Sequence, residues 1–340
     1  MSSAEKIPYP FKIIPLEDEL QKRIAKDFEG YPNGLVSTND WGFKLSGTIN
    51  EALLEDLYNY PLDPRDVWVV TPPKCGTTWT QEMVWLIAND LDYEGAKTPL
   101  MPNRWSFIDF PAIADTEYMT KFASTLNAPP LSAMAGDPNR PSPRFIKSHL
   151  PMCMNNPRLL DVCKVVYVAR NPKDACVSYY NHNRLIRCHE YMGDLELFME
   201  YFMKSNIVET PFLEHMIEAW NLRHHPNMCF IFFEDMKRDL KSEIRKVAKF
   251  LGKSFSDEEI AKLASHLHID NFKKNPFVNS EFGKQIGFMH QDRGNFIRKG
   301  KTGDWKNHFT PEMNAKFDRW MADKMRGTDL RFVQELDRQD

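Results

Sequence analysis

The chain has 340 residues, 42% hydrophobic and 27% charged, and its 44 Lys and Arg against 47 Asp and Glu leave a formal net charge of −3. This balance excludes a disordered, charge-dominated chain and gives no reason to expect nucleic acid as a partner, while the length suffices for one large α/β unit or two ordinary ones. No apolar run reaches the roughly 18–20 residues that a bilayer span needs, and Met1–Lys6 has no apolar core behind it, so neither a membrane anchor nor a secretory leader is expected.

The first informative element is Val67-Trp68-Val69-Val70, whose branched and aromatic residues predict a buried strand. Thr71-Pro72-Pro73-Lys74-Cys75-Gly76-Thr77-Thr78-Trp79 follows, and Gln81–Ala88 then reads as a helix. A strand, a tight Gly loop and a helix start form an anion cradle. The N–H groups of Gly76, Thr77 and Thr78 lack helical partners, and Lys74 adds a full charge. Only one Gly is present and Lys precedes it, so this is not a Walker A loop. Taken alone, the segment fits a plain strand-to-helix turn about as well.

Pro129, Pro130, Pro138, Pro141 and Pro143 mark an irregular stretch from Asn127 to Pro143, long enough to suggest a functional loop. Strands are then predicted at Arg144–Ile146, Val165–Ala169 and Cys229–Phe233, with a helix over Ser242–Leu251. Lys147-Ser148-His149-Leu150-Pro151 follows the first of these strands and Arg170-Asn171-Pro172 the second, with Ser178 about two helical turns further on. Alternating strands and helices predict an α/β fold with a central parallel sheet flanked by helices, in one domain. Ligands in such folds gather at the carboxyl ends of strands, so Lys74, His149 and Arg170 are expected to converge. Near the C-terminus, Arg298-Lys299-Gly300-Lys301-Thr302-Gly303-Asp304-Trp305-Lys306 combines four cations with two glycines, which suits backbone lying close to a ligand. Six cysteines without a CxxC pair fit reduced thiols in the cytoplasm.

Four segments in this order closely resemble the cytosolic sulfotransferases: PKCGTTW, KSHLP, the strand followed by Arg170–Tyr180, and RKGKTGDWK. The resemblance runs from about residue 35 to 335. It implies PAPS (3′-phosphoadenosine 5′-phosphosulfate) as co-substrate and PAP as product. It implies a 5′-phosphosulfate site at Lys74, Cys75, Gly76, Thr77 and Thr78, adenine contacts at Trp79, Phe233 and Ile269, and a 3′-phosphate site at Arg170, Ser178, Arg298, Lys299 and Gly300. His149 corresponds to the family's catalytic base. Phe107, Phe110, Phe122, His182 and Met289 are the expected acceptor-pocket residues. The sequence departs from the family at Pro72 and Phe233, where Tyr is usual, at Leu267-His268-Ile269, which lacks Thr-Ser-Phe, and at His182, where Phe is usual. Of the dimerisation pattern K-x-x-x-T-V-x-x-x-E, Lys306 and Thr310 match while Pro311 and Ala315 do not, so a homodimer stays open. Divergence of this kind resembles invertebrate members.

Sulfuryl transfer, like phosphoryl transfer, is an in-line displacement with a loose transition state. It needs a cation on the leaving phosphate, a base for the attacking hydroxyl and donors for the sulfuryl oxygens. Lys74, His149 and Lys147 match these needs in turn, with no metal called for. The expected function is therefore sulfation of a small hydroxylated acceptor such as a phenol, alcohol, steroid or retinoid. The alternatives are a retinol dehydratase-like enzyme that eliminates a transient sulfate ester, and a noncatalytic PAP- or PAPS-binding protein. The latter is disfavoured because Lys74, His149 and Arg170 are all present.

Overall fold

The structure is a computed structural model that describes residues 6–97, 104–126 and 136–336, with backbone alone over 122–126. Its centre is a five-stranded parallel sheet of order β5-β6-β4-β7-β8. The strands are β4 (Val67–Val70), β5 (Ser106–Phe107), β6 (Phe145–Ser148), β7 (Lys164–Ala169) and β8 (Met228–Phe232). Continuous apolar runs form these strands because both faces of the sheet are covered. Successive side chains go to opposite faces. Trp68, Val70, Ile146, Val165 and Tyr167 enter one hydrophobic core, and Val67, Val69, Phe145, Val166 and Val168 enter the other.

The strand ends nearly match the expectations, and the differences have local causes. β6 runs on through Lys147 and Ser148, where a strand over Arg144–Ile146 was expected. Arg144 instead turns its guanidinium onto Asp66 and the Pro138 and Pro61 carbonyls. The fourth strand stops at Phe232, because Phe233 opens the helix Phe233–Arg238. The helix expected from Ser242 starts at Leu240, after Asp239, whose carboxylate accepts from Ser242 N–H. A three-stranded antiparallel sheet near the N-terminus was not foreseen: β1 (Ile13–Pro15), β2 (Leu35–Thr38) and β3 (Lys44–Ser46). Its strands are too short for the period-2 signal to rise above the background. Of the Pro-rich stretch, residues 127–135 lie outside the described residues, and 136–143 are turns and irregular backbone.

The register brings the site together. Val69 pairs with Lys147 and Val166, and Val70 with Ser148 and Tyr167. The residues after β4, β6 and β7 therefore emerge side by side at one sheet edge. Among the described residues, no helix is long and apolar enough to cross a membrane.

Candidate active site

The loop after β4 has a constrained backbone. Gly76 is the N-cap of the helix Thr77–Ala88 at φ 103°, and a Cβ there would lie 2.8 Å from the Phe233 ring, so only Gly fits. Lys74 takes the left-handed region at φ 65°, uncommon for a residue with a side chain. Its carbonyl accepts from Arg170 Nη1 at 3.1 Å. Its ammonium lies 4.3 Å from the centre of the Phe296 ring and 3.3 Å from His182 Nδ1. Burial, followed by the neighbouring charges of Lys147 and Arg170, brings Lys74 down to about 7.

His149 follows β6 and is buried. Its Nδ1 lies 2.6 Å from the Thr71 carbonyl oxygen. That carbonyl can only accept, so the ring proton sits on Nδ1 and Nε2 carries the free lone pair. Burial first, then Lys147, holds the imidazole well below its ordinary range, so the ring is neutral. Its backbone N–H donates to Asp109 at 2.8 Å. Its carbonyl lies 3.1 Å from His215 Nε2. Lys147 extends over the Phe107 ring, 3.5 Å from its centre, and the same ring meets His149 edge-on at 5.2 Å. Burial lowers Lys147 to about 8 against the opposing charges of Glu209 and Asp109.

Arg170 directly follows β7 and stacks on Phe233 at 4.1 Å. Asn171 caps the next helix, Pro172–Leu185, by accepting from Lys173 N–H. Ser178 is carried on that helix. Asp174, also on it, accepts from the N–H groups of Gly303 and Trp305 at 2.7 and 3.1 Å, which fastens the basic C-terminal segment beside the helix. Arg170 Nη2 reaches the Lys301 carbonyl at 3.1 Å. Arg298 and Lys299 both pair with Asp304, at 2.8 and 2.7 Å. Gly300 sits at φ 62°, with Ile269 where a Cβ would go.

These elements enclose one cavity of about 560 Å³. Of the residues nominated from sequence, Lys74, Gly76, Thr77, Thr78, Trp79, Lys147, His149, Arg170, Ser178, Phe233, Ile269, Arg298, Lys299 and Gly300 line it, and so do Phe107, Phe110, His182 and Met289. Cys75 does not line it, because its side chain is buried in the core. The side chain of Phe122 lies outside the described residues. Sequence reasoning missed Glu209 and His189, which line the cavity, and Asp109, on which His149 leans. None of these three lies in a motif. Asp109 was the most accessible, standing between the nominated Phe107 and Phe110.

The chain's relatives show its family. The sulfotransferase-domain family model matches residues 64–329. The chain belongs to the sulfotransferase family. Bovine (Bos taurus) sulfotransferase 1E1 is 34% identical over 307 residues, 87% of this chain and 97% of that protein. The crystal structure of retinol dehydratase with retinol and PAP is 36% identical with a TM-score of 0.87, covering 96% of this chain and 100% of that one. The structure of retinol dehydratase with androsterone and PAP has a TM-score of 0.86 at the same 36% identity, covering 97% and 100%. This sulfotransferase uses PAPS as donor, leaves PAP, and sulfates a small acceptor. The cavity's own chemistry fits a bis-phosphate nucleotide. Arg170 Nε is buried without a hydrogen-bond partner among the described residues, and an anion with several acceptor oxygens satisfies such a donor.

Proposed function

We propose that this cavity transfers the sulfuryl group through Lys74, His149 and Lys147 to the hydroxyl of a small, largely apolar acceptor. The observation that carries this reading is the convergence of the three strand ends and the 298–301 segment on one cavity. PAPS supplies the activated sulfuryl group. The helix N-terminus at Gly76–Thr78 and the Lys74 ammonium hold the 5′-phosphate end, and Lys74 offsets the charge that gathers on the leaving oxygen. Arg170, Ser178, Arg298 and Lys299 hold the 3′-phosphate, with Arg298 and Lys299 turning from Asp304 toward it. Trp79, Phe233 and Ile269 pack around the adenine. His149 Nε2 takes the proton of the attacking hydroxyl, while Thr71 fixes the ring's tautomer. Lys147 donates to the transferring group.

Phe107, Phe110 and Met289 supply the apolar acceptor wall that such pockets require. The relatives crystallised with retinol or androsterone support an acceptor of alicyclic or isoprenoid alcohol type. We further propose a single domain in the cytoplasm. The six free thiols support that compartment. The test is labelled PAPS against a panel of phenols, steroids and retinoids, with product analysis. A stable sulfate ester supports transfer with release. The likeness to retinol dehydratase favours a second outcome, in which inorganic sulfate appears with a dehydrated product. Absence of any acceptor-dependent sulfate, with PAP still bound, would leave only a nucleotide-binding protein.

A further inference from the structure

Beside the acceptor-side aromatics, the cavity wall carries a carboxylate that no motif contains. Glu209 is 2% exposed and lines the cavity. Its backbone lies in the left-handed region at φ 62°, a strained conformation of the kind that concentrates at functional sites. Two main-chain bonds to β3 hold it there: Glu209 N–H to Lys44 O at 3.0 Å and Lys44 N–H to Thr210 O at 2.8 Å. The Tyr179 hydroxyl lies 2.8 Å from Oε2. Oε1 is buried with no hydrogen-bond partner among the described residues. A buried carboxylate oxygen without a donor is unfavourable; Glu209 lines the cavity, so a turn of its carboxylate toward that space would let a ligand supply one.

A second acceptor stands in the same cluster. The Tyr31 hydroxyl lies 2.8 Å from the Ile113 carbonyl and 2.7 Å from His189 Nδ1. Its single proton goes to the carbonyl, so it accepts from Nδ1–H, and His189 Nε2 keeps a lone pair. Burial, then Lys74, lowers His189 to about 3, so the ring is neutral. The Tyr179 ring joins the two groups, 6.3 Å from His189 while its hydroxyl meets Glu209.

We propose that Glu209 and His189 form a subsite for a hydroxyl donor on the acceptor other than the hydroxyl being sulfated, so that the enzyme selects diols or diphenols over their mono-hydroxyl analogues. The inference rests on the sulfotransferase reading of the cavity given above. A neutral hydroxyl fits better than an ammonium group, because Lys74, Lys147 and Arg170 line the same cavity and repel a third cation. Burial raises the Glu209 carboxyl to about 7 against the pull of Tyr179 and Lys147. A hydroxyl donated to Oε1 strengthens the ionised form.

The experiment measures kcat/KM for α,ω-alkanediols of increasing length and for the corresponding mono-alcohols, with PAP affinity followed in parallel. The wild-type diol preference is expected to peak at one chain length, roughly tenfold above the statistical factor of about two. Glu209→Leu should flatten that peak to the statistical value. If Glu209→Leu fails to fold, seen as lost PAP binding, the similarly shaped Glu209→Gln carries the test and should lower the peak at least about threefold. A wild-type ratio near the statistical value at every length, or a peak that survives the substitution, overturns the proposal. Sulfation of neither series, nor of any phenol, steroid or retinoid, with PAP still bound, overturns the reading of the cavity and the subsite with it; sulfation of those acceptors but of neither series overturns the subsite alone.

Discussion

Lys74 is a cation kept ready to lose its charge. Burial and the adjacent Lys147 and Arg170 bring it to about 7 in the ligand-free cavity, and a phosphate placed beside it favours the charged form. The sign of the pH effect follows. Below about 7 Lys74 is already protonated and binds PAP without taking up a proton; above it, binding must bring a proton with it. PAP affinity should be flat on the acid side and weaken by up to roughly tenfold per pH unit above neutrality, with proton uptake seen by calorimetry in buffers of different ionisation enthalpy. Lys74→Met should remove this dependence, and an unchanged uptake would separate Lys74 from the nucleotide. His149 is shifted in the same direction but works as the free base. Burial and Lys147 hold it well below the ordinary imidazole range, so kcat/KM should stay level as pH falls through 6.5. His149→Ala should lower turnover by about 10² or more with PAP binding preserved, and turnover within threefold of wild type would remove it from the mechanism.

At the scale of elements, the site consists of chain segments whose glycines admit close neighbours. In Gly300→Ala, the added Cβ meets Ile269 Cδ1 at 2.5 Å while the backbone stays at φ 62°. Ile269 is partly exposed and lines the same cavity, so it yields only by moving within the space beside Gly300, and the left-handed backbone costs about 1 kcal/mol more. PAP affinity should therefore fall by roughly tenfold with far-ultraviolet circular dichroism unchanged; wild-type affinity would show that the segment does not approach the nucleotide. This element scale also shows what the sequence made legible. Val67–Val70, the Gly76 loop and the helix behind it are contiguous in sequence, so strand composition and capping chemistry reveal them together. Lys147 and His149 fall within three residues of each other for the same reason. Glu209, Asp109 and Tyr179 gain their meaning from contacts 30 to 40 residues away, Tyr179 on Glu209 and Asp109 on His149. A single sequence carries no local signal of such pairings. Phe233 was expected at a strand end, yet it opens a helix, and from there its ring lies beneath Arg170.

Across the whole molecule, the side of the cavity proposed for the nucleotide is assembled from segments far apart in the chain. The loop after β4, the end of β7 and the 298–302 segment meet through Arg170, which donates to the carbonyls of both Lys74 and Lys301. The C-terminal segment is otherwise fastened to the helix Pro172–Leu185 through Asp174, and its cations Arg298 and Lys299 rest on Asp304. A bis-phosphate spanning these segments binds only when all are in place, so its affinity is linked to global stability. At a PAP concentration 100 times Kd, that linkage supplies about 2.7 kcal/mol, which for a chain of this size corresponds to a rise in Tm of roughly a few degrees. Amide exchange should slow at the same time over 296–303 and over the first turn after Gly76. Arg170→Ala removes the link between the two segments as well as the proposed phosphate contact, so both the Tm rise and the coupled protection should shrink together. Because a buried arginine is also lost, the comparison is made on the PAP-induced shift and not on the absolute Tm. A wild-type shift in Arg170→Ala, or protection confined to the Gly76 loop, would show that the basic C-terminal segment does not share a ligand with β4 and β7.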